Sequence, residues 1–177
     1  MKNSVIYLIF LLFLGISPSM SQEDPFLRDF LIRWEQSRKY FIEVANAMPE
    51  ENYFHTPYPE GMTFAEQMMH VGVIIDWHAF SKFGGRNTEI RWDDFKAEGK
   101  SKEQLIQLVN SEFERAADLV RDVNPEKLDE TASYADFTRT RRQFLLLLAD
   151  HVSHHRAQMI VLLRLQQIEP PNYIHFQ

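Results

Sequence analysis

Residues 151–155 read HVSHH, placing three imidazoles within five positions. On a helix, at about 100° per residue, His151 and His155 lie about 40° apart, one turn above the other. Their Cβ atoms then stand roughly 6 Å apart, close enough for both rings to reach one ion. His154, three residues after His151, is also at a permitted pairing distance. The spacing favours His155 as the partner of His151 and leaves His154 open. Phe144, Leu148, His151, His155 and Leu162 fall along one helical face. The two histidines therefore interrupt an apolar stripe that must face inward. A buried polar group without a partner costs on the order of 1–3 kcal/mol. One histidine on such a face is most often a hydrogen-bonded core residue, but two in register call for a shared partner. A divalent transition metal is such a partner, because neutral imidazole is a common ligand for these ions.

A third candidate lies elsewhere. His70 sits between Met69 and Val71, with Glu66 one turn before it and Ile74 one turn after. It too falls on or beside an apolar helical face. Glu66 has two possible roles, as a capping residue or as a carboxylate that orients His70; its spacing from Thr63 favours the cap. Three imidazoles without a fourth protein ligand leave room for water or substrate, the pattern of catalytic rather than structural metal sites. The chain has no cysteine, so disulfides, thiolate nucleophiles and Cys-ligated zinc are excluded. No Glu follows His151, so the segment is not a metalloprotease signature, and no phosphate-cradling Gly-rich loop or nucleophile elbow is present.

Four helical segments must position these residues. The first is predicted from about Asp24 to Met48, with Phe26, Phe30, Trp34, Phe41 and Val44 at helical spacing and Pro49 as its stop. The second begins at Thr63, where Thr63-x-x-Glu66 has the form of a capping box, and runs to Phe83 before Gly84-Gly85. The third opens at Ser101-x-x-Gln104 and closes near Val123, before Pro125. The fourth opens at Thr140-x-x-Gln143, reaches about Ile168 before Pro170-Pro171, and is the most apolar. No strand is indicated. The expected fold is all-α, a four-helix bundle, with the two longer connections (second to third, third to fourth) leaving room for crossovers. Trp77, Trp92 and the phenylalanines are expected in the core.

Length and composition agree with one domain. The chain has 177 residues, 45% of them hydrophobic, and a net charge of −6 without a basic patch, which argues against nucleic-acid binding. The N-terminus reads differently. Lys2 precedes an apolar run from Val5 to Ile16, Pro18 ends it, and small residues follow at Ser19 and Ser21. This pattern predicts a secretory signal peptide over residues 1–21, with the mature domain at 22–177 and an exported, periplasmic or extracellular protein. The run is short for a membrane span, so no stable span is expected after cleavage. Left uncleaved, it would act as an N-terminal anchor.

The segment His151-x-x-x-His155-Arg156-x-Gln158, running into Leu163-Arg164 and Pro170-Pro171, resembles the C-terminal signature of the DinB/YfiT-like family, and Thr63-Phe64 to His70 is similar to its second helix. Ala157 stands where that family often has glycine. The resemblance implies a four-helix bundle, often a homodimer, that holds one divalent ion on His70, His151 and His155, with His154 outside the ligand set. It further implies a metal-dependent enzyme of thiol S-transferase or hydrolase type acting on a small molecule; the alternative is a non-catalytic metal-binding or interaction protein with the same fold. The ion is Zn, Ni, Fe or Mn; all accept imidazole and water. Arg156 and Gln158 are candidates for groups beside the ion, and Tyr134, Asp136 and Asp76 for an acid or base on the pocket wall.

Overall fold

The computed structural model describes residues 24–86, 92–134 and 136–177. The leader expected over residues 1–21 lies outside the described residues. Four α-helices form the bundle: α1 (Pro25–Ala47), α2 (Phe64–Ile75), α3 (Lys102–Arg121) and α4 (Arg141–Leu165). Each starts where the sequence provides a cap. Asp24 accepts from Leu27 N–H, with Pro25 at the first helical position. Thr63, Ser101 and Thr140 each close a complete capping box, with Glu66, Gln104 and Gln143 respectively. Glu66 is thus a cap, its Oε2 accepting from Thr63 N–H at 2.7 Å.

Both α1 and α2 pack against α3 and α4. α1 therefore stands diagonal to α2, and α3 to α4. The connections that cross the bundle are those from α1 to α2 and from α3 to α4. α2 and α3 are neighbours despite the long segment between them, so a crossover there is not observed. The core is held by an aromatic stack between α1 and α3. Phe30 and Trp34 centroids lie 5.6 Å apart, Trp34 and Phe113 4.7 Å, and Phe41 and Phe113 5.5 Å. Trp34 Nε1–H donates to Phe113 O at 3.0 Å, so the buried indole leaves no orphan donor.

The structure departs from the sequence expectation at three places. Helix two does not continue as an α-helix to Phe83. From Asp76 to Phe83 the backbone widens into π-helical turns, and Gly84 N–H donates to Ala79 O, five residues back, at 2.6 Å. Gly85, at φ 74°, then supplies the left-handed residue that ends it. Secondly, the connection before α4 contains a hairpin of β1 (Thr131–Tyr134) and β2 (Phe137–Thr140), antiparallel, with Thr131 opposite Thr140 and Tyr134 opposite Phe137. Its β-branched and aromatic residues suit a pleated, half-exposed surface. It docks on the π-helical turns through Tyr134, 4.1 Å from the Trp77 ring, and through Lys82 Nζ, which donates to Ser133 O at 2.8 Å. The fold is thus helical with one small hairpin. Thirdly, Trp92 and Phe54 are 56% and 47% exposed rather than in the core. The short helical turn Trp92–Phe95 can turn only one side inward, and Phe95 takes it.

Phe95 seats on Gly72 of α2. A Cβ at Gly72 would stand 2.6 Å from Phe95 Cδ1. Alanine in place of glycine inside a helix ordinarily stabilises by roughly 0.5–1 kcal/mol. Here overpacking is expected to outweigh it, so that Gly72→Ala lowers stability by about 1–2 kcal/mol in urea denaturation. A gain in stability would show that Phe95 is not held against α2.

Candidate metal centre

α2 and α4 face each other, and the histidines converge between them. His70 comes from α2, and His151 and His155 from successive turns of α4. One ligand nitrogen from each lies within 4.8 Å of the other two. The His151 and His155 Nε2 atoms are 3.0 Å apart, and the His70 ring centroid is 4.4 Å from that of His155 and 5.6 Å from that of His151. His155 is buried, while His70 and His151 are half-buried.

Electrostatics keep the cluster neutral. Burial first, then the neighbouring imidazoles, pulls the pKa of His155 from the ordinary 6.5 to about 3. His70 and His151 are lowered from 6.5 in the same way, by burial first and by nearby histidines second. Protonating any ring would place a charge in a partly desolvated site beside other rings that can also charge. Neutral rings keep a lone pair for a metal.

A hydrogen-bonded chain sets which nitrogen carries the proton on His155. Its Nδ1 lies 2.6 Å from Gln67 Oε1, and Gln67 Nε2 donates to Gln158 Oε1 at 2.9 Å. Gln158 Nε2 in turn lies 2.9 Å from His154 Nε2. With the Gln67 amide nitrogen committed to Gln158, its oxygen accepts from His155 Nδ1–H. The His155 Nε2 lone pair therefore faces His151. This is the usual arrangement for a metal-binding histidine, whose second ring nitrogen donates to a fixed acceptor. The donor set fits a divalent transition metal: three neutral nitrogens from two helices, and one ring already oriented by an amide.

The other candidates fall elsewhere. His154 is exposed and at the far end of the amide chain, outside the group of three. Gln158 reaches His155 only through Gln67. Arg156 does not border the centre; its guanidinium turns to α1 and donates to Ser37 Oγ at 2.7 Å. Asp76 is fully buried but held in a two-pronged ion pair, its oxygens 3.0 and 2.6 Å from Arg86 Nη1 and Nη2. Tyr134 is packed edge-on against Trp77, and Asp136 is exposed on the hairpin.

Two residues of the centre escape the sequence pattern. Gln67 lies one turn before His70 in an apolar run, and only the facing helix reveals its role. His78 is eight residues after His70, about 80° around a regular helix, and the π-helical turns change its aim. It is 2% exposed, its ring is 6.0 Å from that of His151, and its Nδ1 has no hydrogen-bond partner among the described residues. Burial, then His151, lowers its pKa to about 4.

A cavity of about 690 Å³ borders the centre at His70. Phe54, Met62, Met69, Val73, Trp92 and Phe95 give it apolar walls, with Glu66, Lys96 and Glu98 among its polar groups. The volume lies in the range of small-molecule sites. Phe54, 47% exposed, and Trp92 put aromatic surface on its wall.

A helical bundle with three facing histidines and an adjoining apolar cavity defines the class. Residues 33–159 match the model of the DinB superfamily, and the chain belongs to that superfamily. No curated protein matches it. Solved structures share the fold, two of them as follows. A DinB-like protein of Bacillus subtilis is 21% identical, with a TM-score of 0.65 over 82% of this chain and 96% of its own. A DinB-like protein of Bacillus cereus is 20% identical, with a TM-score of 0.61 over 83% of this chain and 94% of its own.

The pKa shifts have a signed consequence. Folded values lie below the ordinary 6.5, so the unfolded chain binds more protons as pH falls. The stability these groups contribute is complete above about pH 6.5 and is lost as pH falls toward about 3 to 4. The melting temperature of metal-free protein is expected to fall across that window, and less steeply in His155→Gln. Equal slopes for the two proteins would contradict a buried, neutral His155.

Proposed function

We propose that this chain is an exported divalent-metal-binding protein that holds one transition metal ion on His70, His151 and His155. It works as a metal-dependent enzyme of thiol S-transferase or hydrolase type on a small, largely apolar substrate. The observation that carries this reading is the convergence of three neutral imidazole nitrogens within 4.8 Å, from two helices, without a fourth protein ligand in the group among the described residues. A bound divalent ion supplies Lewis acidity, which acidifies water or a thiol and polarises a carbonyl. The chain's own residues do the rest. Gln67 holds the His155 proton on Nδ1, and the cavity wall of Phe54, Met69, Trp92 and Phe95 receives the apolar part of the substrate. Zn, Ni, Fe and Mn all suit this donor set.

A second reading, a non-catalytic metal-binding or interaction protein, is favoured by one observation. Asp76, the buried carboxylate among the acid–base candidates, is engaged by Arg86. Export also weighs against the small thiols that are chiefly cytosolic, and so favours hydrolysis over thiol transfer within the enzymatic reading. The apolar run at Val5–Ile16 supports export, and the family resemblance supports a homodimer. Among the described residues no helix is long and apolar enough to cross a membrane.

Elemental analysis of the mature, untagged protein is expected to give about one transition-metal ion per chain, lost in His151→Ala. Removing the ion with a chelator should lower the melting temperature, since a ligand of the native state stabilises it by mass action. Wild-type protein that takes up no ion after reconstitution with zinc, nickel, iron and manganese would overturn the proposal.

A further inference from the structure

Arg156 follows His155 in α4 but points about 100° further around the helix, to α1 instead of α2. It is only 5% exposed. Nη1 donates to Ser37 Oγ at 2.7 Å and to Ser37 O at 3.3 Å, and Nη2 donates to Ser153 Oγ at 3.3 Å. The guanidinium lies 5.1 Å from the Tyr40 ring centroid. A guanidinium has five N–H donors, and these bonds use three of them. Every acceptor is a neutral oxygen, and no carboxylate among the described residues pairs with Arg156. A buried cation without a counter-charge is costly, and proteins rarely leave one so.

The surroundings add positive charge rather than balance it. Arg156 forms part of the wall of a cavity of about 390 Å³, with Arg164, Ser153, Tyr40, Tyr173 and Val161. Arg33 flanks the same place, its Nη2 donating to the Tyr173 hydroxyl at 2.9 Å. Three arginines thus gather around the seam between α1, α4 and the C-terminal turn Tyr173–Phe176. Tyr173, Val161 and Ile160 give this cavity an apolar side as well. It is a shallow cleft open to solvent, and its volume is within the size range of small-ligand sites.

We infer that this cavity is a second ligand site, for a small organic anion whose carboxylate or phosphate group lies against Arg156 and Arg164 and whose apolar body lies along Val161 and Tyr173. The anion provides the counter-charge that the chain withholds from Arg156, and charge-assisted bonds from a guanidinium suit both anionic groups. The site is independent of the metal centre, because α4 turns His155 to α2 and Arg156 to α1.

Titration calorimetry of the mature protein with octanoate, phenyl phosphate and octan-1-ol tests this. Octanoate or phenyl phosphate is expected to saturate one site per chain. Octan-1-ol, which lacks the charge, should bind at least about tenfold more weakly, the scale of one charge-assisted hydrogen bond. Arg164→Gln, at an exposed position that the fold does not need, should weaken the anion severalfold. Arg156→Met should abolish binding; if that variant does not fold, Arg164→Gln carries the test. His151→Ala should bind the anion as the wild type does, which separates this site from an anion captured by a metal ion. Absence of saturable anion binding, equal affinity for octanoate and octan-1-ol, an unchanged Arg164→Gln, or loss of binding in His151→Ala would each overturn the inference.

Discussion

The contact between α2 and α4 places three imidazoles where none of them can charge cheaply. Each ring loses water, and each would repel its neighbours as a cation, so burial and mutual proximity act in the same direction. The result is a cluster of lone pairs with few donors to satisfy them. Gln67 resolves this for His155 by accepting its Nδ1 proton, and that choice leaves Nε2 facing His151. Because the rings stay unprotonated, a divalent cation binding there has no proton to displace. Neutrality and ligand readiness share one physical origin.

The rest of the bundle keeps that contact in place. α2 enters it from a closed capping box, so its first turn is fixed by Thr63 and Glu66. It leaves through the π-helical turns, which bury Asp76, His78 and Ala79 together. Arg141, the first residue of α4, donates to Phe83 O at 2.7 Å and pairs with Glu130 at 2.6 Å, joining the end of those turns to the start of the facing helix. Gly72 lets Phe95 approach α2 closely, and so sets one wall of the cavity beside His70. α4 serves two faces. His151 and His155 look toward α2, while Arg156 looks toward α1, so a single helix separates a candidate cation site from a buried guanidinium.

Much of this is legible in the residues, and the parts that are not have physical reasons. The helix starts are local chemistry, a hydroxyl and an amide or carboxylate three residues apart, and all three capping boxes form where their spacing occurs. The helical repeat favours the pair His151 and His155, and the structure leaves His154 outside the group. His70 joins them because an apolar face must meet another apolar face. What spacing does not encode is the partner across an interface. Gln67 is an unremarked amide until α4 stands opposite it, and Arg156 is adjacent in sequence to a ligand candidate but faces away from it. The π-helical turns carry no proline or glycine within Asp76–Phe83 to announce them, so the aim of His78 is set by tertiary packing. The hairpin is short and docks on Trp77, which a reading by periodicity takes for a loop. Trp92 reads as a core aromatic in the sequence, yet Phe95 takes the inward position of their shared turn.

X-ray absorption spectroscopy at the zinc edge of zinc-loaded protein decides whether the centre is open, because it counts the ligands. Three imidazole nitrogens and at least one oxygen from solvent are expected, with imidazole scattering reduced in His70→Ala, His151→Ala and His155→Ala. Four protein ligands would mean a closed structural site, and fewer than two imidazoles would mean that the ion is held elsewhere. Either result would contradict the open three-histidine centre.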